Sequence, residues 1–153
     1  MIRIDWAQLC EMAFLDNCDR LCMIGVMTRF PAPALPIAMR QLMIVVRIGD
    51  VQSNESFSVG VLMVTPSGVS LSPRHADGLD IAVTAEYIFI TLRDIPLKEE
   101  GMYRFAISVG KGDPFSIDVP VRLVTSPALE TGSAPHKDGR PGQSSWVSGR
   151  EVN

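Results

Sequence analysis

Residues 110–114 read Gly-Lys-Gly-Asp-Pro, a glycine-rich loop with a lysine, and so raise the chemistry of phosphate binding. A phosphate loop of the strand-to-helix kind needs G-x-x-x-x-G-K-[ST] and then a helix, whose N-terminal N–H groups complete the anion site. Here Lys111 sits between the glycines, Asp113 repels an anion, and residues 115–123 alternate as a strand. The loop is therefore predicted to be a hairpin turn. Gly110 and Gly112 would supply the left-handed backbone angles, and Pro114 would close it.

Cys18 and Cys22 are the next candidates. Structural zinc takes four ligands, usually from two tight pairs, and no second cysteine pair follows. His75 and His136 stand far off, in a loop and near the C-terminus. A thiol nucleophile needs a neighbouring imidazole, and His75 is the only histidine before residue 126. A cysteine-dependent hydrolase using Cys18 or Cys22 with His75 is thus an alternative, weighed against ordinary thiols beside a turn, which is the preferred reading. Ser53, Ser56, Ser58, Ser67, Ser70 and Ser72 lie in no G-x-S-x-G elbow. Asp16, Asp19, Asp80, Asp94, Glu99 and Glu100 cluster at turns, where carboxylates cap backbone. No catalytic, cofactor-binding or metal-binding residue is assigned, and the expectation is a protein that is not an enzyme and carries no cofactor.

Two features lean towards binding. Pro31, Pro33 and Pro36 make 30–36 (FPAPALP) a pre-ordered, extended surface for a partner. Trp146 stands alone among polar residues, as the anchor of a short linear motif would. The methionines, including Met23, Met27, Met39, Met43 and Met63, read mainly as adaptable core filling.

These residues need a scaffold, and size and composition limit what it is. The 153 residues suit one domain with a real core, 46% hydrophobic and 20% charged. The net charge is −3 and the fourteen Lys and Arg are scattered, so no nucleic-acid footprint is seen. No stretch approaches the roughly 18 apolar residues of a membrane span. Asp5 and Glu11 interrupt any leader-like run. With no export signal and three cysteines that cannot all pair, reduced thiols in a cytoplasm are expected.

Period-two alternation dominates the chain. Cys10, Met12 and Phe14 alternate, residues 16–20 read as a turn, and 21–30 as a mostly apolar strand. The prolines of 30–36 should then break the ladder, leaving at most a helical turn near 34–40. Residues 41–49 put Leu42, Ile44, Val46 and Ile48 on one face and Met43 and Val45 on the other, as a central strand covered on both sides would. Residues 56–65 and 68–72 read as a hairpin about a Pro-Gly turn. Residues 72–78 read as a loop, 80–92 as one bent strand or two, and 94–101 as a crossover. Tyr103, Phe105, Ile107 and Val109 should face the core with Phe115, Ile117, Val119, Val121 and Leu123. Arg104, Ser108, Ser116, Asp118 and Arg122 should face out. About seven or eight strands favour an antiparallel sandwich over residues 1–125. Pro120 suggests that the last strand borders its sheet. Residues 126–153, rich in Gly, Pro and Ser, read as a flexible, disordered tail.

Glu99, Gly101, Tyr103 and Phe105 match the spacing that opens the penultimate strand of immunoglobulin-like sandwiches. The tyrosine then either bonds upstream backbone as a tyrosine corner or simply continues the core alternation. Through residues 12–33 (MAFLDNCDRLCMIGVMTRFPAP) and 101–124 (GMYRFAISVGKGDPFSIDVPVRLV), the chain resembles a family of small uncharacterised bacterial proteins with this sandwich shape. The resemblance implies an all-β, immunoglobulin-like fold, and it carries no activity and no role for Cys18 or Cys22. The expected function is a non-enzymatic interaction or accessory domain of a bacterial cytoplasmic system. It would dock a protein partner through a sheet edge, loops or tail, and self-association is also open. The alternative is a structural subunit of a multi-copy, phage- or capsid-like assembly.

Overall fold

The computed structural model describes residues 2–49, 56–72 and 79–124. The strands are β1 (Arg3–Cys10), β2 (Met12–Leu15), β3 (Leu21–Ile24), β4 (Phe30–Ala32), β5 (Ile37–Gly49), β6 (Val59–Val64), β7 (Ser70–Leu71), β8 (Leu79–Val83), β9 (Tyr87–Leu97), β10 (Gly101–Val109) and β11 (Phe115–Leu123). One sheet has the order β1-β5-β9-β8, a second β4-β11-β10-β6-β7, and β2 and β3 form a separate hairpin. Setting aside β2, β3, β4 and β7, the seven others in chain order divide as first, second, fifth and fourth against seventh, sixth and third. That division is the immunoglobulin arrangement.

The alternation along β5 explains the layering. Leu42, Ile44, Val46 and Ile48 join Ile88, Ile90 and Leu92 of β9 and meet Tyr103, Phe105, Ile107 and Val109 of β10 across the sandwich. Met43 and Val45 point the other way and pack with Cys10 and Phe89 into a second core. The β2–β3 hairpin covers it with Ala13, Leu15, Leu21 and Met23. Trp6, Tyr87 and Phe89 extend it as a row of tilted rings 6.2 and 6.3 Å apart. Ala13 lets the hairpin approach so closely that its N–H donates to Sδ of Met43 at 3.3 Å. The expected two-sided cover of the 41–49 strand is therefore real.

Tyr103 makes a true tyrosine corner. Its hydroxyl accepts from the N–H groups of Lys98 (3.1 Å) and Glu99 (3.3 Å) and donates to the Glu99 carbonyl (3.1 Å). The corner rests on the Thr65–Gly68 turn, where Ser67 N–H donates to the Glu99 carboxylate at 3.0 Å. Gly101, at φ +131, is required there, because a Cβ would lie 2.8 Å from Cβ of Pro66. The 110–114 loop is the expected hairpin turn, with β10 and β11 in register from Gly101↔Val121 to Ile107↔Phe115. Only Gly110 of its two glycines takes a positive φ.

Several expectations are corrected. The proline stretch does not leave the sheet: Phe30–Ala32 pairs with β11, and in parallel. Pro31 is tolerated because β4 is an edge strand, whose outer side needs no donor. Apart from that pair the described strands are antiparallel, as expected, and β11 remains an edge over 115–120, as Pro120 suggests, because β4 pairs only with Val121, Arg122 and Leu123. Residues 21–30 do not form one strand, because Gly25 turns the chain at φ +64. No helix forms over 34–40, where β5 begins at Ile37. Of the two readings of 80–92, two strands is the one found, β8 and β9 about a turn in which Tyr87 N–H donates to Oγ1 of Thr84 at 3.0 Å. The second strand runs on to Leu97, into the stretch expected to cross over. Leu123, expected in the core, is exposed beside Val124. β1, not assigned from the sequence, pairs with β5 along its length.

Candidate functional site

The hairpin that covers the second core has a second face. Cross-strand pairing sets Met12 opposite Ile24 and Phe14 opposite Cys22. Pleating turns these four away from Ala13, Leu15, Leu21 and Met23. Phe14 is 44% and Ile24 52% exposed, with Met12 and Val26 between them in value. Beside Met12 and Ile24 opens a groove of about 430 Å³ whose wall continues through Met27, Phe30 and Met39, with Glu11, Arg40 and Gln41 along it. Met27, Phe30 and Met39 also border a void of about 10 Å³ above Tyr103 and Phe105, so the groove floor is the roof of the main core. Clustered apolar side chains beside solvent are the kind of surface that binding sites use, and methionine lets such a surface adapt its shape.

The residues singled out for chemistry are placed differently. Cys18 lies in the β2–β3 turn, built around Asp16. Oδ1 of Asp16 accepts from the N–H groups of Cys18 and Arg20, both at 2.9 Å, and Oδ2 from Nε of Arg20 at 2.7 Å. Asp19 closes the turn at φ 56. Cys22 is on the hairpin's outer face, its thiol 3.8 Å from the Arg20 carbonyl. Cys10 is buried, and desolvation pushes its thiol up against the backbone hydrogen bond at Met12, away from the reactive thiolate. His75 and His136 lie outside the described residues, as do Ser53 and Trp146. Among the described residues no group of three His, Cys, Asp or Glu could hold a metal ion. No helix of the described residues is long and apolar enough to cross a membrane.

The perturbed carboxylates are structural. The Arg20 guanidinium, then the N–H groups of Arg20 and Cys18, hold Asp16 below the ordinary aspartate range. The Arg104 guanidinium does the same for Asp118 across the β10–β11 pair, where Nε and Oδ1 are 2.7 Å apart, and Arg104 is raised in turn. The ionised Asp16 therefore supports its turn above the ordinary aspartate pKa, and that support fades as pH falls through the lowered value. The amide signals of Cys18 and Arg20 should accordingly titrate below about pH 4. Their hydrogen exchange should quicken in Asp16→Ala and less in Asp16→Asn, which keeps the acceptor oxygen.

Pro31, Pro33 and Pro36 are exposed, with Pro31 in β4 between Phe30 and Ala32. The structure sets this stretch beside the groove, but it is Phe30 and Met39 rather than the prolines that line it. Met12 and Phe14 were missed as a surface because the alternation over 10–14 aligns them with buried Cys10, and Ile24 because 21–30 reads as one mostly apolar strand. The bend at Glu11 breaks that alignment. The usable signal was a surplus: residues 12–24 carry apolar side chains on both faces of a hairpin that has only one core to fill.

Among solved structures the chain is similar to the Ig1 domain of mouse SynCAM 2, at 10% identity and a TM-score of 0.27. The match covers 61% of this chain and 98% of that one. At that score the likeness carries no weight beside the strand order itself. No curated protein matches the chain. A family model matches residues 5–122, from β1 to the penultimate residue of β11, and the chain belongs to that family, the family of unknown function DUF6941.

Proposed function

We propose that this domain is a non-enzymatic docking module. Its protein partner sits on the outer face of the β2–β3 hairpin and in the groove beside it. The carrying observation is that Met12, Phe14 and Ile24 remain half exposed although both cores beneath are filled. An apolar anchor buried at the centre of such a contact contributes most of its energy. Immunoglobulin-like sandwiches host many roles, so the reading rests on this surface rather than on the fold. The setting we propose is a bacterial cytoplasmic system, in which the domain is an accessory component. Three unpaired thiols agree with a reducing compartment.

The test is affinity capture from lysate of the source cells, using the full chain. Phe14→Asp and Ile24→Asp put a charge into the proposed contact, and Leu62→Asp puts one on the outer face of the other sheet. A hot-spot loss of about 2 kcal/mol corresponds to roughly thirty-fold weaker capture for the first two variants. Leu62→Asp should capture as wild type does. Equal capture by all three, or none by wild type, sinks the reading. Mass that rises with concentration in sedimentation, and is abolished by Ile24→Asp, would instead favour assembly of copies.

A further inference from the structure

The last described strand passes close to the proposed docking surface, with Val121 of β11 beside Phe30 of β4 and both strands running the same way. Val124 N–H donates to the Ala32 carbonyl at 2.8 Å. Two residues back along β4 stands Phe30, in the wall of the groove with Met12, Ile24, Met27 and Met39. Two residues of extended chain span at most about 7 Å. The segment after Val124 therefore starts a short way past the groove wall and must turn back to reach it.

That segment, residues 125–153, has one aromatic residue, Trp146, succeeded by Val147 and then by Arg150 and Glu151. Trp146 stands about 20 residues beyond Val124, and a Gly-, Pro- and Ser-rich chain of that length spans roughly 25 Å, enough to return to its own start. Such tethering gives an effective concentration in the millimolar range, so even a weak contact is well occupied. The groove carries one acid and one base, Glu11 and Arg40. Neither is in an ion pair among the described residues. Arg150 and Glu151 offer the complementary charges four and five positions past the tryptophan.

We propose that the segment around Trp146 and Val147 occupies this groove in the free protein, as an internal occupant that a partner must displace. This rests on the docking reading for the identity of the surface. It adds that the surface is self-covered: an indole fills the space beside Met27 and Met39, and the pair Arg150 and Glu151 meets Glu11 and Arg40. The contact is intramolecular and does not depend on protein concentration.

The test uses the full chain with methyl-labelled methionine. Trp146→Ser should shift the methyl signals of Met12, Met27 and Met39. It should leave Met63, in the main core, and Met102, on the outer face of the other sheet, where they were. A companion measurement labels both tryptophans with fluorine. Ile24→Asp should move the Trp146 resonance and leave Trp6, and because Ile24 is exposed the fold tolerates the change. Unmoved groove methyls in Trp146→Ser overturn the proposal, as do shifts that appear only on raising the concentration, which would assign the groove to a second copy. If those methyls stay still while Ile24→Asp still loses its captured partner, the self-cover fails and the docking reading stands. If capture ignores Ile24→Asp, the docking reading fails whatever the methyls do.

Discussion

Tyr103→Phe is expected to cost about 2–3 kcal/mol of folding stability, although it removes a single oxygen. The ring stays, so the packing against Phe105 and its neighbours is unchanged, and the side chain is 1% exposed. What disappears is one group that answers three backbone groups, the N–H of Lys98, the N–H of Glu99 and the Glu99 carbonyl. These lie where β9 turns into β10, and nothing beside them replaces the hydroxyl. Urea denaturation should report a lower midpoint with an unchanged slope, because the surface exposed on unfolding is the same. A loss under about 0.5 kcal/mol would mean that water satisfies the corner, and that the hydroxyl is dispensable.

Phe89→Ala and Ile90→Ala should each lose about 3–4 kcal/mol, and they should do so in different places. The two residues are neighbours in β9, but pleating sends Ile90 into the core between the sheets and Phe89 into the core under the hairpin. Ile90→Ala leaves a void at the centre of the sandwich, so protection against hydrogen exchange should fall throughout both sheets. Phe89→Ala removes the floor on which Ala13, Leu15, Leu21 and Met23 rest. Exchange should then quicken first over residues 12–24, with the strands of the second sheet less affected. Identical exchange patterns for the two variants would show one cooperative core instead of two.

The contrast between those neighbours marks how far the sequence could be read. The two-sided pattern of residues 42–48 was legible because strand parity alone assigns Met43 and Val45 to a covered face. So was the hairpin of β10 and β11, where long alternation flanks a short glycine turn, and so was the spacing around Tyr103. Legibility failed where a local rule met a tertiary exception. Proline argues against a strand, but Pro31 sits at an edge with its donorless side outward. Parity aligned Met12 and Phe14 with Cys10, but a bend at Glu11 reset it. The expected binding prolines are exposed as a loop would make them, yet the groove beside them is lined by residues of four separate segments, Met12 and Ile24 of the hairpin, Met27, Phe30 and Met39, brought together only by the fold. Composition could point to Trp146, but no local pattern could say what it faces.

The parallel pairing of β4 with β11 bears on how the protein is made. Synthesis delivers the chain N-terminus first, at about 5–20 residues per second. β1 can find β5 within the first half of translation, but β4 must wait for a strand whose last residues close the domain. Until then Phe30, Met27 and Met39 have neither Val119 nor Val121 beneath them, and the sandwich is open along that side. A stalled ribosome, or a message cut short before β11, therefore yields a chain that displays the floor of the groove and its main core together. Such a product exposes apolar surface and an unpaired edge together, the combination that makes an incomplete chain prone to aggregate, and β11 is the strand that removes both.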